Sequence, residues 1–258
     1  MNRIATPSGV SVSYDKYGSG PPLVLVHGAF SDHDTNWEFV KPMFREQFTV
    51  YAIARRGRGE TDATKGHDLE DEAADLVAVL KAVGEPVFLL GHSYGAHCSL
   101  AAAVLALKSV RKLVVYEPLW PNAISKEALD PLETLAAAGR WDDFAMTFFR
   151  DLLSVPVAEL EEVRSTELWP PIVADAPASL GDLRAVSRYV FKPERFSRLE
   201  LPVLLQIGSE SPRDLYVTDA LAAVLPNARI EALPGQAHEG MTTAPEMYAR
   251  SVVDFLLA

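Results

Sequence analysis

The stretch that decides the fold is VFLLGHSYGA at residues 87–96, with Gly-His-Ser-Tyr-Gly at positions 91–95. A short apolar run precedes this motif, and an alanine-rich stretch over residues 96–107 follows it. A buried strand that turns sharply into a helix strains the residue at the turn and pushes its side chain outward, and flanking glycines let strand and helix pass closely. The motif therefore predicts Ser93 as an exposed nucleophile. The alternative interpretation is an ordinary strand-to-helix turn in which a serine caps the helix.

Outside this motif, short apolar runs alternate with segments of helical periodicity. The runs are predicted to be strands, and they cover residues 23–26, 49–53, 87–90, 113–116, 203–207 and 229–233. Residues 10–14 alternate apolar and polar side chains, as expected of a half-exposed edge hairpin. Apolar stripes over residues 68–83 and after Pro245 predict two helices. This alternation predicts an α/β fold with a mostly parallel sheet between two layers of helices.

The alternation stops between residues 119 and 197, where prolines separate short helical patterns and aromatic residues are frequent. We interpret this segment as a helical insertion, or cap, in a core domain formed by residues 1–118 and 198–258. Its aromatic residues have two interpretations, as the lining of an apolar substrate pocket or as packing of the insertion against the core. The candidates are Trp120, Trp141, Phe144, Phe148 and Trp169.

The composition argues against several classes of function. The chain of 258 residues carries a formal net charge of −11, and so acidic a protein repels the phosphate backbone of nucleic acids. Cys98 is its one cysteine, which rules out an internal disulfide and a cysteine-based metal site. No apolar run is long enough to cross a membrane, and the first residues lack the apolar core of a leader peptide. We therefore expect a cytoplasmic protein that binds no nucleic acid, membrane, metal or cofactor.

A serine hydroxyl becomes an effective nucleophile only when a base removes its proton. His238 follows the last predicted strand and precedes the C-terminal helix. Loops at the carboxyl ends of parallel strands are the usual ligand sites of open α/β sheets, which makes His238 the preferred base. His27 ends a strand and is expected to be structural, whereas His92 adjoins Ser93 and is a candidate pocket residue.

Attack on a carbonyl also requires two N–H groups where the negative charge develops. The backbone N–H of Tyr94, directly after the nucleophile, is one candidate for this oxyanion hole. The turn over residues 27–30, after the first core strand, contains small residues and supplies the other. Ala29 is the preferred donor and Phe30 the second choice. Phe30 is also a candidate for the substrate pocket.

The strand–Gly-x-Ser-x-Gly–helix unit, the His27-Gly28 turn and the late His238 make the chain resemble the α/β-hydrolase fold family over essentially its whole length. The resemblance implies an eight-stranded sheet, a helical cap and a serine–histidine–acid triad. Residues 55–62, RRGRGETD, are similar to a loop that follows a core strand in this family. We interpret this arginine-rich loop as solvated or ion-paired, with a structural role rather than an anion-binding one.

The acid of the triad is where the sequence departs from the family. Relatives usually place an aspartate after the penultimate core strand in a Gly-x-x-Asp pattern, but Ser211 occupies the aspartate position here. Glu117, at the end of the strand over residues 113–116, is the preferred substitute, because several subgroups of the family take their acid from this strand end. Glu210 and Asp214 remain alternatives. An ion pair beside the cap is the structural interpretation of Glu117.

The resemblance therefore implies a cofactor-independent serine hydrolase that cleaves an ester, lactone or thioester of a small apolar carbonyl substrate through an acyl-enzyme. Two alternatives stay open. One is a C–C bond hydrolase, or a cofactor-free lyase or oxygenase, in which His238 acts mainly as a base. The other is a slow-turnover ligand-binding receptor of the same fold. A homodimer is compatible with the sequence.

Overall fold

The computed structural model describes residues 1–64 and 66–258 and contains an eight-stranded sheet. Its strands are β1 (Asn2–Ala5), β2 (Ser11–Gly18), β3 (Pro22–Val26), β4 (Thr49–Ala54), β5 (Val87–His92), β6 (Val110–Tyr116), β7 (Val203–Gly208) and β8 (Ala228–Leu233). They lie in the order β1-β2-β4-β3-β5-β6-β7-β8. β2 is antiparallel to both β1 and β4, and the other neighbours are parallel. The predicted α/β fold with an antiparallel hairpin at its edge is confirmed.

Helices flank this sheet over the described part of the chain. They are α1 (Lys41–Gln47), α2 (Leu69–Val83), α3 (Tyr94–Leu105), α4 (Lys126–Ala137), α5 (Trp141–Thr147), α6 (Val157–Arg164), α7 (Trp169–Arg188), α8 (Thr218–Ala222), α9 (Gly240–Thr243) and α10 (Pro245–Leu257). The segment between β6 and β7 contains α4 to α7, and we refer to these as the inserted helices. Among the residues described, no helix combines the length and the apolar character that crossing a membrane requires.

Strand β3 shows how the sheet separates two apolar layers. Its residues Leu23 and Leu25 join one layer, which includes side chains of α1 and α10. Its residues Val24 and Val26 join the other layer, with side chains of α2, α3 and the inserted helices. Successive side chains of a strand point to opposite faces, so an uninterrupted apolar run is buried on both. This is why the short apolar runs of the sequence predict the central strands.

The parallel pairing brings several strand ends to one edge of the sheet. His92 at the end of β5 is paired with Tyr116 at the end of β6, and Gly208 of β7 is paired with Leu233 of β8. Residues that follow these strands therefore start side by side. In open α/β sheets this carboxyl edge is where ligands bind.

The close passage of α3 across β3 depends on Gly95. A Cβ atom at this position would collide with the carbonyl oxygens of Val26 and His27. Neither oxygen can yield without moving the strand, since both belong to the backbone. The glycine after the predicted nucleophile is therefore required by packing alone.

We expect Gly95→Ala to lower the free energy of unfolding by about 3 kcal/mol, because strand or helix must shift to admit the methyl group. Chemical denaturation measures this change. Gly66→Ala is the matched control, since a Cβ there meets no atom within 4 Å. Equal stability of the two variants would contradict the close passage.

Candidate active site

Ser93 occupies the turn between β5 and α3 in a strained backbone conformation. Its φ of 52° and ψ of −118° lie outside the regions that non-glycine residues favour. Such strain costs about 1–3 kcal/mol and persists where the surrounding structure enforces it. The N–H of Ser93 donates to the carbonyl oxygen of Tyr116 (2.8 Å), which ties the turn to the end of β6. Ser93 is half-buried, so part of it stays accessible.

Glu117 directly follows β6 and is fully buried, with 0% of its surface exposed. Its Oε2 atom lies 2.7 Å from Nδ1 of His238, and its Oε1 atom accepts a hydrogen bond from the N–H of Gly208 (2.7 Å). Both carboxylate oxygens therefore have partners, which offsets the cost of burying a charge. Glu117 shares with Ser93 a positive φ, here 49°.

His238 lies in the loop between β8 and α9, where Glu117 determines its tautomer. With Nδ1 facing a carboxylate, the proton resides on Nδ1, and Nε2 presents the lone pair of a base. Burial lowers the pKa of His238, but the hydrogen bond and charge attraction of Glu117 outweigh burial and raise the pKa above its usual value. The ring of Tyr216 stacks on the imidazole, with 5.6 Å between centroids and 16° between planes. The imidazole is therefore held by the hydrogen bond to Glu117 and by stacking against Tyr216.

The alternative acids make no such bond. Glu210 and Asp214 are exposed, and Glu210 accepts a hydrogen bond from the hydroxyl of Ser209 instead (3.0 Å). Within the described residues, Glu117 is the carboxylate that is hydrogen-bonded to His238. The geometry thus brings together Glu117 and His238 out of the candidates that the sequence left open.

His92 lies buried beneath the loop of His238. Its Nε2 lies 3.0 Å from the carbonyl oxygen of His238, and its Nδ1 lies 3.1 Å from Oδ1 of Asn36. Asn36 Oδ1 also accepts a hydrogen bond from the N–H of Gly28 (2.8 Å). Burial and the neighbouring His238 lower the pKa of His92 well below its usual range. The neutral ring carries one proton and therefore donates to only one of these two oxygens, so His92 packs between the histidine loop and Asn36.

The backbone N–H groups of that turn differ in their partners. The N–H of Gly28 donates to Asn36, and the N–H of Phe30 donates to the hydroxyl of Ser179 on α7 (2.6 Å). The N–H of Ala29, between them, donates to no acceptor in the described part of the chain. Of the two candidate donors, the structure thus engages Phe30 and leaves Ala29 available.

The second candidate donor is the first residue of α3. The N–H of Tyr94 makes no hydrogen bond with any described residue, as expected at the start of a helix. The turn that carries Ala29 lies against the nucleophile, since a Cβ atom built on Gly28 would lie 3.2 Å from Cβ of Ser93. The unpaired N–H of Tyr94 therefore adjoins Ser93 in sequence, and the unpaired N–H of Ala29 belongs to a turn that lies against Ser93.

Phe30 is the centre of an aromatic cluster between the turn and the inserted helices. Its ring stacks on Phe148 with 4.5 Å between centroids, and Phe144 lies 5.7 Å away. Phe149 lies at 5.1 Å. A φ of 57° places Phe30 itself in the left-handed region. Two predicted pocket residues, Phe144 and Phe148, thus each contact a third, Phe30.

The predicted tryptophans lie at different distances from this cluster. Trp141 packs edge-on against Phe144 (5.5 Å), so it borders the cluster. Trp169 is buried, and its indole N–H donates to Asp142 (2.7 Å). Trp120 packs against Phe191 (5.4 Å) and has no ring contact with Phe30 among the residues described.

Sequence reasoning did not single out Asn36, Tyr216 or Phe149. Phe149 lies beside Phe148 in the aromatic segment and could have been included on that ground. No motif or periodicity marks Asn36 or Tyr216, because their contacts come from loops that meet only in the folded chain.

Comparisons with known proteins agree with the fold. Residues 23–251 match the family described as "Alpha/beta hydrolase family". The crystal structure of an alpha/beta hydrolase from Sphaerobacter thermophilus is similar, with a TM-score of 0.86 and 30% identity over 99% of this chain and 100% of that one. An enol-lactonase from Burkholderia xenovorans shares the fold, with a TM-score of 0.83 at 19% identity over the whole of both chains (100% and 100%). The chain is also 25% identical to the non-heme chloroperoxidase CPO-A1 of Kitasatospora aureofaciens, over 97% of this chain and 98% of that protein.

We expect Glu117→Gln to lower the pKa of His238, because the amide keeps the size of the side chain but loses the charge that favours the imidazolium. NMR titration of the imidazole measures the change. Glu210→Gln removes an exposed carboxylate from the loop after β7 and should leave that pKa unaltered. A pKa that stays the same in Glu117→Gln would show that Glu117 does not control His238.

Proposed function

The chain belongs to the alpha/beta hydrolase family, and from this premise we propose that it is a cofactor-independent serine hydrolase acting on a carboxylic ester, lactone or thioester. The hydrogen bond of 2.7 Å between Glu117 and His238 carries the proposal, because it supplies an oriented base. This pair lies at the carboxyl edge of the sheet, where β5 delivers the strained Ser93. We assign Ser93 as nucleophile, His238 as general base and acid, and Glu117 as the residue that orients His238.

In the proposed first step, Oγ of Ser93 attacks the carbonyl carbon while Nε2 of His238 takes the serine proton. Glu117 stabilises the imidazolium, since its Oε2 faces the proton on Nδ1. The carbonyl oxygen becomes negative, and the N–H groups of Ala29 and Tyr94 are proposed to bind it. Donors of this kind are worth about 10²- to 10³-fold each in kcat.

Collapse of the tetrahedral intermediate breaks the bond to the leaving group. His238 gives its proton to the departing alcohol or thiol, and the acyl group stays on Ser93. Water then attacks the acyl-enzyme, with His238 again acting as base and then returning the proton to Ser93. The carboxylic acid then leaves, and the free hydroxyl of Ser93 and the neutral imidazole of His238 are restored.

The aromatic cluster supports a small apolar substrate. Phe30 directly follows Ala29, the proposed oxyanion donor. Its side chain is therefore proposed to lie near the reacting carbonyl of the substrate. Phe148 and Phe144 continue this cluster as buried rings of the segment between β6 and β7. Pockets for small molecules are mostly apolar with a few convergent polar groups, which is the combination proposed here.

The alternatives differ from this proposal in what they ask of Ser93. Base-driven chemistry needs His238 but no acyl bond to serine, and a receptor needs neither at a high rate. Neither base-driven chemistry nor ligand binding by a receptor requires a strained backbone at Ser93, because a residue in a relaxed conformation could fill the same position. The reactivity of Ser93 therefore separates the three hypotheses.

We expect a fluorophosphonate to form one covalent adduct with the native chain and none with Ser93→Ala, because only an activated serine reacts. Intact-protein mass spectrometry detects the adduct. We also expect Ser93→Ala to lower kcat for a simple ester by about 10⁶-fold. Ser165→Ala, which changes an exposed serine of the inserted helices, should behave as the native chain. An unlabelled native chain would overturn the acyl-enzyme mechanism.

We expect Phe148→Ala to raise the ratio of kcat/KM for a hexanoate ester to that for an acetate ester by about 10-fold, because the lost ring opens space beside Phe30. Steady-state kinetics with the two esters measure the ratio. Phe191→Ala is the matched control, since Phe191 packs against Trp120 and Phe196 instead. A ratio that moves equally in both variants would place the pocket elsewhere.

A further inference from the structure

The loop that follows β4 carries two arginines into a buried ion-pair network. Arg55 donates to Glu72 of α2 (2.9 Å) and to Asp182 of α7 (2.7 Å). Arg58 donates to the same Asp182 (2.8 Å) and to Asp175 (2.9 Å). Arg55 is only 4% exposed and Asp182 is 0% exposed. Solvation of this loop, one of the two expectations from the sequence, is therefore wrong at these arginines, and ion pairing describes them.

Arg55 also contacts the turn that carries Ala29. Its Nη2 donates to the carbonyl oxygen of Gly28 (2.9 Å), and its Nε donates to the carbonyl oxygen of His27 (2.9 Å). The backbone N–H of Arg55 donates to Nε2 of His27 (3.1 Å). The proton of the neutral imidazole therefore lies on Nδ1, which is 2.8 Å from the same Gly28 oxygen. Burial and the charge of Arg55 keep the ring neutral by lowering the pKa of His27 well below its usual range.

The oxygen that receives these two hydrogen bonds belongs to the peptide unit of the Ala29 N–H. A trans peptide is planar, and its C=O and N–H point in opposite directions. Fixing the Gly28 oxygen on the Arg55 side therefore fixes the Ala29 N–H on the other side. Hydrogen bonds to the oxygen also polarise the peptide and make its N–H a stronger donor.

The same guanidinium adjoins the second proposed donor. It lies 4.5 Å from the ring centroid of Tyr94, the residue after the nucleophile. Arg55 therefore contacts the peptide unit that carries the Ala29 N–H and the side chain of Tyr94, the two residues whose N–H groups are proposed to bind the oxyanion. Arg58 shares Asp182 with Arg55 but makes no direct hydrogen bond with the turn over residues 27–30 among the described contacts. It reaches the turn through the hydroxyl of Ser179 (3.2 Å), which accepts from the N–H of Phe30. Arg56, the third arginine of the loop, pairs with Asp75 instead (2.6 Å).

We propose that Arg55 is a positioning residue of the oxyanion hole, held by Glu72 and Asp182, which directs the Ala29 N–H toward the reacting carbonyl. The inference rests on the proposed function of the Ser93 site. Arg55 itself does not touch the substrate. Because the substrate oxygen becomes fully negative only as the transition state is approached, the contribution of Arg55 falls on kcat and not on KM.

Arg55→Lys tests this assignment, because an ammonium keeps the charge but cannot bond to Gly28, Glu72 and Asp182 in the fixed fork of a guanidinium. We expect kcat for p-nitrophenyl acetate to fall about 10- to 100-fold, with KM within about 3-fold of the native value. The rate constant for fluorophosphonate labelling should fall in parallel. Arg56→Lys is the matched control, since it disturbs another buried ion pair of the same loop, with Asp75 (2.6 Å), without touching Gly28 or Ser179, and its kcat should stay within about 3-fold of native.

Equal kcat losses in the two variants, or no loss in Arg55→Lys, would overturn the inference, because a merely structural role predicts that both arginines matter alike. If Arg55→Lys does not fold, the double variant Arg55→Met with Asp182→Asn removes one buried cation and one buried anion together. A native kcat in that double variant would also overturn the inference, and a reduced kcat at native KM would support it. A native chain that neither hydrolyses the ester nor reacts with the fluorophosphonate overturns the proposed function, and this inference with it.

Discussion

One buried carboxylate sets the geometry of the sheet edge. An unpaired carboxylate in the interior costs several kcal/mol, so Glu117 must keep a partner on each oxygen. His238 satisfies one oxygen from the loop after β8, and the N–H of Gly208 satisfies the other from the end of β7. The ends of three neighbouring strands are thereby drawn to one charge. His92 packs against the loop of His238, with Nε2 lying 3.0 Å from the carbonyl oxygen of His238.

A second constraint acts on the turn over residues 27–30, which is held from three directions. Asn36 accepts from the N–H of Gly28, Arg55 donates to its carbonyl oxygen, and Ser179 accepts from the N–H of Phe30. The Ala29 N–H, between those of Gly28 and Phe30, has no partner among the described residues. The turn therefore presents this donor in a defined direction, because the N–H groups on either side are committed to Asn36 and Ser179.

The parts of this arrangement that the sequence predicts are those determined by local pattern. Uninterrupted apolar runs mark strands buried on both faces, and the motif around Ser93 marks a turn that needs glycine. Glu117 stands out because an apolar strand carries a carboxylate to its end. No local sequence pattern predicts the burial of Arg55, since its partner Asp182 lies 127 positions away in the chain. Tyr216 escapes prediction for the same reason, because it meets His238 only after both loops have folded.

The contact between Ser179 and Phe30 bears on how such a chain could diversify. One route to a new substrate range would be to exchange the inserted helices for those of a relative and to retain the sheet as a common scaffold. Here the helix α7 supplies Ser179 to the turn over residues 27–30 and Asp182 to Arg55, which contacts the same turn. A transplanted insertion would therefore need to bring both groups in register, or the recipient scaffold would lose part of its own support. A change of the inserted helices and the integrity of this turn are therefore coupled in this protein.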